Sequence, residues 1–243
     1  MIHSETNGDI VVISLDRAEK RNAMLPEMLA KLEGALIAAG AARAIALVGA
    51  GKVFCAGFDL KVCAADASGQ TMRELLTGLS SVVRTMRSVR APVVLGVHGA
   101  AVAGGCALLG GADVVLADRG AKLGYPVVKI GVSPAVSSPF MLASITPGRV
   151  RSRLVDPALI DADRALQIGL VHELVESADE VRARTIEIAQ HLASKPGHGT
   201  FYTKHWLNEI TAGMTDQAQA GLDVSLSLTG GDEERTMLSA LWA

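Results

Sequence analysis

Between Pro92 and Leu116 the chain reads PVVLGVHGAAVAGGCALLGGADVVL, without a single Lys, Arg or Glu. The run is long enough for a bilayer-spanning helix, which needs about 20 apolar residues. Its glycines, His98, Asp113 and the leading proline contradict that reading, because glycine and proline weaken a helix interior. The segment parses instead as a strand, a glycine-rich turn with a short buried helix, and a second strand. Two apolar strands joined by a crossover require a sheet covered on both faces, which places the chain in the α/β class.

The flanking segments fit that class. Met1–Thr6, an Asn7–Gly8 turn and DIVVISL form a predicted hairpin. Pro26 opens a helix with Met28, Leu29, Leu32, Leu36 and Ala39 at helical spacing. AIALV (Ala44–Val48) is a short strand, GAGKVFCAGFDL a loop of small residues, and Gln70–Val89 an amphipathic helix. After Ser177 the pattern becomes almost wholly helical. Ser177 and Glu180 form a capping-box pattern for a helix running to about Ser194. His198–Ala212, Thr215–Leu228 and Asp232–Trp242 are predicted to follow as further helices.

Composition narrows the possible functions. Hydrophobic residues are 49% and charged residues 20% of the chain, which indicates a folded core rather than disorder. A net charge of −2 offers no field to gather nucleic acid or an anionic membrane, so neither is expected as a partner. Cys55, Cys63 and Cys106 cannot make a disulfide framework, and the six histidines show no metal-ligand spacing. The hydrophilic start MIHSETNGD makes a cytoplasmic location the expectation.

Common motifs fail. GAGK (Gly49–Lys52) lacks the earlier glycine and the following Ser or Thr of a phosphate loop. The glycine-rich stretch contains no dinucleotide fingerprint, and GVSPA (Gly131–Ala135) lacks the second glycine of a nucleophile elbow. Two small-residue turns remain, FCAGFDLK (Phe54–Lys61) and AGGC (Ala103–Cys106), each just after an apolar strand. Such turns can present free backbone N–H groups, and two that converge suit a carbonyl oxygen gaining negative charge.

These turns lie in blocks that resemble the enoyl-CoA hydratase/isomerase (crotonase) superfamily. RAEKRNAM (Arg17–Met24) is similar to the family's CoA-contacting loop, and GKVFCAGFDLK (Gly51–Lys61) to its first oxyanion loop. PVVLGVHGAAVAGGCALLGGADVVLA is similar to the second oxyanion loop with its strands. LGYPVVKIGVSP (Leu123–Pro134) and DADRALQIGLVHELV (Asp161–Val175) resemble two later blocks, in the expected order.

The resemblance implies a spiral of ββα units over residues 1–176 and a helical trimerisation region over 177–243, assembling as a homotrimer or a dimer of trimers. It implies an acyl-CoA thioester as ligand, with coenzyme A entering as part of the substrate rather than as a resident cofactor. The backbone N–H groups of Phe58 and Gly104 become the oxyanion donors, and Gly105 becomes room for the substrate. Ala56, Asp59, Leu60 and Lys61 would border the ligand, and Arg17, Lys20, Arg21 and Lys61 are candidates for the CoA phosphates.

The family's carboxylate positions are occupied here by Ala107, Val127 and Ala135. Hydration needs a group to activate water and another to protonate carbon, and none of these side chains can do so. Tyr125 and Lys129 are the spare acids in the matching blocks. The expectation is an enzyme that stabilises a thioester enolate with reduced acid–base chemistry, as in decarboxylation or an atypical isomerisation. The alternative is a non-catalytic acyl-CoA-binding protein of the same fold.

Overall fold

A computed structural model describes residues 1–241. The chain opens with β1 (Ile2–Asn7) and β2 (Ile10–Leu15), paired antiparallel, with Gly8 at positive φ in the turn. Helix α1 (Pro26–Ala38) leads to β3 (Ala44–Gly49), which pairs parallel to β2. Helices α2 (Leu60–Ala65) and α3 (Gln70–Ser88) precede β4 (Val93–Val97). Next come β5 (Ala100–Val102), the single turn α4 (Gly104–Ala107), β6 (Val114–Asp118) and β7 (Lys122–Gly124). Helices α5 (Ser138–Leu142) and α6 (Pro147–Val155), β8 (Ile160–Asp161), α7 (Ala162–Ile168) and β9 (Glu173–Val175) follow. The chain closes with α8 (Ala178–Ala193), α9 (Gly197–Ile210), α10 (Ala212–Thr215), α11 (Ala218–Ser227) and α12 (Asp232–Ala240).

Six strands form one sheet in the order β1-β2-β3-β4-β6-β9, parallel throughout except for the β1/β2 hairpin. A second sheet has the order β5-β7-β8. Alternate residues of the central strands face two apolar layers. Ile13, Leu15, Ile45, Leu47, Val93, Leu95 and Val97 pack toward α1 and α3, which supply Leu29, Leu32, Leu75, Leu79 and Val83. Ile10, Val12, Ala44, Ala46, Val48 and Val94 meet Val181, Ala189 and Ala193 of α8. At Gly96 a Cβ would sit 2.1 Å from Thr185 Oγ1, so a glycine is what lets α8 lie on β4. Packing is therefore continuous across Ser177.

Three local expectations are corrected. Ser177 caps α8 only through its side-chain partner: its hydroxyl donates to Glu180 Oε1 at 2.8 Å and accepts no backbone N–H. The helix expected over Thr215–Leu228 starts later, as α11 from Ala218, and the short α10 (Ala212–Thr215) occupies the gap expected after Ala212. The small-residue loop ends at Asp59, because Leu60 already begins α2. The expected helix from Asp232 spans Asp232–Ala240, and Trp242 lies outside the described residues.

Candidate active site

Asn22 ties the N-terminal loop to the loop after β3. It is fully buried at φ +54, a backbone state that asparagine tolerates better than most residues. Its Nδ2 donates toward the carbonyls of Ala50 (2.8 Å), Val53 (3.0 Å) and Phe54 (3.0 Å), while Oδ1 accepts the Arg17 N–H at 2.8 Å. Beyond it, Met24 N donates to Gly57 O (2.7 Å) and Asp59 N donates to Met24 O (3.0 Å). This parallel bridge skips the Phe58 N–H, which has no acceptor among the described residues.

The second turn is held against the first. Cys55 N donates to Ala100 O (3.1 Å) and Val102 N to Cys55 O (3.0 Å). Ala103 then adopts φ +52, ψ −117, a region costing a non-glycine residue about 1–3 kcal/mol. Its own N–H donates to Gly124 O at 2.8 Å, and its carbonyl accepts the Ala107 N–H at 3.0 Å. The reversal at Ala103 starts α4 at Gly104, whose N–H also has no acceptor among the described residues. Phe58 and Gly104 are neighbours: a Cβ on Gly104 would meet the Phe58 ring at 2.9 Å.

Both residues line a cavity of about 240 Å³. Met72, Leu76 and Leu79 of α3 form one apolar wall, and Ile130, Val132 and Val136 form another. Among the described lining residues there is no carboxylate, imidazole or thiol. Val127 lines the cavity, whereas Ala107 is buried behind the turn, 3% exposed.

Several sequence expectations need correction. Gly105 does not make room for substrate; a Cβ there would meet Cys55 O at 2.6 Å, so this glycine is needed where the two turns touch. Tyr125 lines the cavity with its ring, but its hydroxyl donates to Cys106 O at 3.0 Å. Burial pushes this phenol well above its ordinary pKa. A proton committed to a buried carbonyl is poorly placed for transfer, so Tyr125 acts as a structural wall. Lys129 is exposed and borders the cavity.

Arg17 and Asp59 pair with each other at 2.8 Å, and Arg17 also donates to Ala23 O at 2.7 Å. They brace the two loops, which leaves Lys20, Arg21 and Lys61 as exposed cations without a carboxylate partner among the described residues. Ala56 and Leu60 line the cavity. The cysteines are buried, and burial pushes each thiol up to about 12, which rules them out as ready nucleophiles.

The chain also matches known proteins along most of its length. Residues 5–237 match the family model described as Enoyl-CoA hydratase/isomerase, and the chain belongs to that family. It is 29% identical to a crotonyl-CoA hydratase of Syntrophomonas wolfei over 221 residues, covering 89% of this chain and 84% of the relative. It is also 29% identical to the 1,2-epoxyphenylacetyl-CoA isomerase of Escherichia coli over 226 residues, covering 88% and 84%. A crystal structure of an enoyl-CoA hydratase/isomerase from Xanthobacter autotrophicus superposes with a TM-score of 0.90 at 27% identity, covering 99% of this chain and 92% of that one. Relatives with a hydratase and an isomerase among them leave the reaction to be argued from the site itself.

Proposed function

We propose that the protein binds an acyl-CoA with its thioester oxygen between the N–H groups of Phe58 and Gly104, and stabilises the enolate formed there. The observation that carries this reading is a pair of backbone donors without acceptors among the described residues, opening into a cavity whose described lining includes no carboxylate. Fixed donors aimed at developing charge in a site shielded from water are worth about 3–4 kcal/mol each. Lys20, Arg21 and Lys61 supply exposed positive charge for the CoA phosphates.

A donor pair without a base suits a reaction in which the substrate makes its own enolate. In a malonyl-type thioester, the bond from the α-carbon to the carboxylate breaks and carbon dioxide leaves. The bonding pair moves into the thioester and places charge on its oxygen, and the α-carbon later takes a proton from solvent. No step requires a side chain at Ala107, Val127 or Ala135. The same lining supports a second reading, a protein that holds acyl-CoA without turning it over.

Incubation with crotonyl-CoA, a 3-enoyl-CoA and methylmalonyl-CoA, with calorimetric binding in parallel, tests both. Release of carbon dioxide from methylmalonyl-CoA with no hydration of crotonyl-CoA is expected. Tight binding of all three without turnover selects the second reading, and rapid crotonyl-CoA hydration overturns the argument from the missing carboxylates.

A further inference from the structure

Ser133 caps the turn over Pro134–Ser137, which with the start of α5 also carries Ser137 and Ser138, and two of these three hydroxyls are satisfied locally. Ser133 Oγ accepts the Ala135 N–H at 3.2 Å, and Ser138 Oγ donates to Ala135 O at 2.8 Å. Ser137 is 4% exposed, lines the acyl cavity, and its hydroxyl has no partner among the described residues. The hydroxyl oxygen opens onto the cavity, so a molecule in the cavity is what can pair it.

Its position is fixed from behind. Fully buried Ser225 of α11 accepts the Val136 N–H at 3.0 Å and donates to Ser133 O at 2.9 Å. Gly221, one turn earlier, lies so close that a Cβ would meet Ala135 O at 2.6 Å. The turn therefore cannot slide to find Ser137 an internal partner, and the surrounding walls (Met72, Leu76, Leu79, Val136) offer none.

We propose that Ser137 determines the substrate class by donating a hydrogen bond to an oxygen carried on the acyl group, so that the cavity selects an oxygenated acyl-CoA over a plain alkyl one. The proposal rests on the acyl-CoA reading above. An alkyl chain that fills the cavity drives out the water that solvates Ser137 and leaves the hydroxyl unpaired. An acyl oxygen in reach replaces that water. Sites built around a polar partner reject analogues that lack it far better than apolar pockets reject added groups. A carboxylate on the acyl chain and a 3-hydroxyl both supply the acceptor.

Calorimetry with butyryl-CoA, 3-hydroxybutyryl-CoA and methylmalonyl-CoA (the last read as KM where it turns over) separates these cases in the wild type, Ser137→Ala and Ser137→Cys. The wild type is expected to bind at least one oxygenated thioester about tenfold tighter than butyryl-CoA, the scale of one stranded hydroxyl. Which one it prefers identifies the acyl oxygen. Ser137→Ala is expected to lose that preference while holding butyryl-CoA as tightly as before or tighter, and Ser137→Cys, a weak donor, to fall between. Equal wild-type affinity for all three ligands, or a uniform weakening in Ser137→Ala, overturns the proposal. Binding of butyryl-CoA alone would overturn it while sparing the acyl-CoA reading, and absence of any binding removes both.

Discussion

A methyl group added at Gly105 meets backbone, whereas one added at Gly104 meets the ends of flexible side chains. At Gly105 the Cβ would lie 2.6 Å from Cys55 O and 2.8 Å from Cys55 Cβ. The strand bridge at Cys55 would have to part for it. At Gly104 the contacts are Met24 Cε at 2.7 Å and the edge of the Phe58 ring, both able to turn aside. Gly105→Ala is therefore expected to lower stability by about 2–3 kcal/mol, the usual scale of overpacking against a fixed neighbour, and to abolish acyl-CoA binding. Gly104→Ala is expected to stay near wild-type stability and lose affinity by crowding the oxyanion site. Chemical denaturation and calorimetry of the two variants check the order. The motif made both glycines legible in the sequence but assigned Gly105 the wrong neighbour, since spacing along one loop says nothing about what another loop presses against it. The roles of Asn22 and Ala103 carry no mark in the sequence, and Ser137 stands there only beside Asp59, Ser133 and Ser138 as one of several polar side chains in the matching blocks. An asparagine in a loop reads as a turn residue, an alanine carries no mark of a positive φ, and one serine among several carries no mark of being unpaired.

At the scale of elements, strands and long helices followed from pattern because burial on both faces leaves a continuous apolar run and a single face leaves a helical stripe. The sequence places a gap after Ala212, where the structure has α10, whereas the turn before α11 falls at Asp216 and Gln217, which no glycine or proline marks. The join between β4 and β5 shows how elements fix the site. His98 sits there, 8% exposed, and its Nε2–H donates to Gly51 O at 3.0 Å, fastening the first loop to the second. Burial lowers the pKa of this imidazole below its ordinary value, opposed by the hydrogen bond to Gly51 and by the charge of Asp118. The unfolded chain then takes up a proton at a higher pH than the native state does. Stability from His98 is complete above an ordinary value of about 6.5 and is lost as the pH falls below it. His98→Gln keeps a donor for Gly51 O and cannot titrate in this range. Its melting temperature is expected to fall less steeply than that of the wild type between pH 7 and pH 5, and identical slopes would show that His98 does not carry the acid sensitivity.

For the whole molecule, the helices after β9 do two things at once: α8 closes the central sheet, and α9 is held to the body by buried Lys204 and by Asn208, whose Nδ2 donates to Arg87 O at 2.8 Å. Lys204 Nζ donates to Met86 O (2.9 Å), Ala91 O (3.0 Å) and Asp113 Oδ2 (2.8 Å), reaching the end of the glycine-rich stretch that follows β4. With that face turned inward, Tyr202, Trp206 and Ile210 recur every four residues on the outer face, each more than half exposed. A stripe of large apolar side chains on one helix is costly to leave in water and marks a contact surface. Together with the trimer or dimer of trimers implied by the sequence resemblance, it points to a second copy of this chain as the occupant. Trp206→Glu combined with Ile210→Glu places two charges on that stripe without touching Lys204 or the core. Sedimentation velocity is expected to show the wild type at three or six times the monomer mass and the double variant as a folded monomer with unchanged secondary structure by circular dichroism. A wild type that sediments as a monomer at micromolar concentration would refute the assembly. A double variant that remains oligomeric would move the contact to another face, with Val155 of α6 and Ile37 of α1 the next exposed apolar side chains to charge.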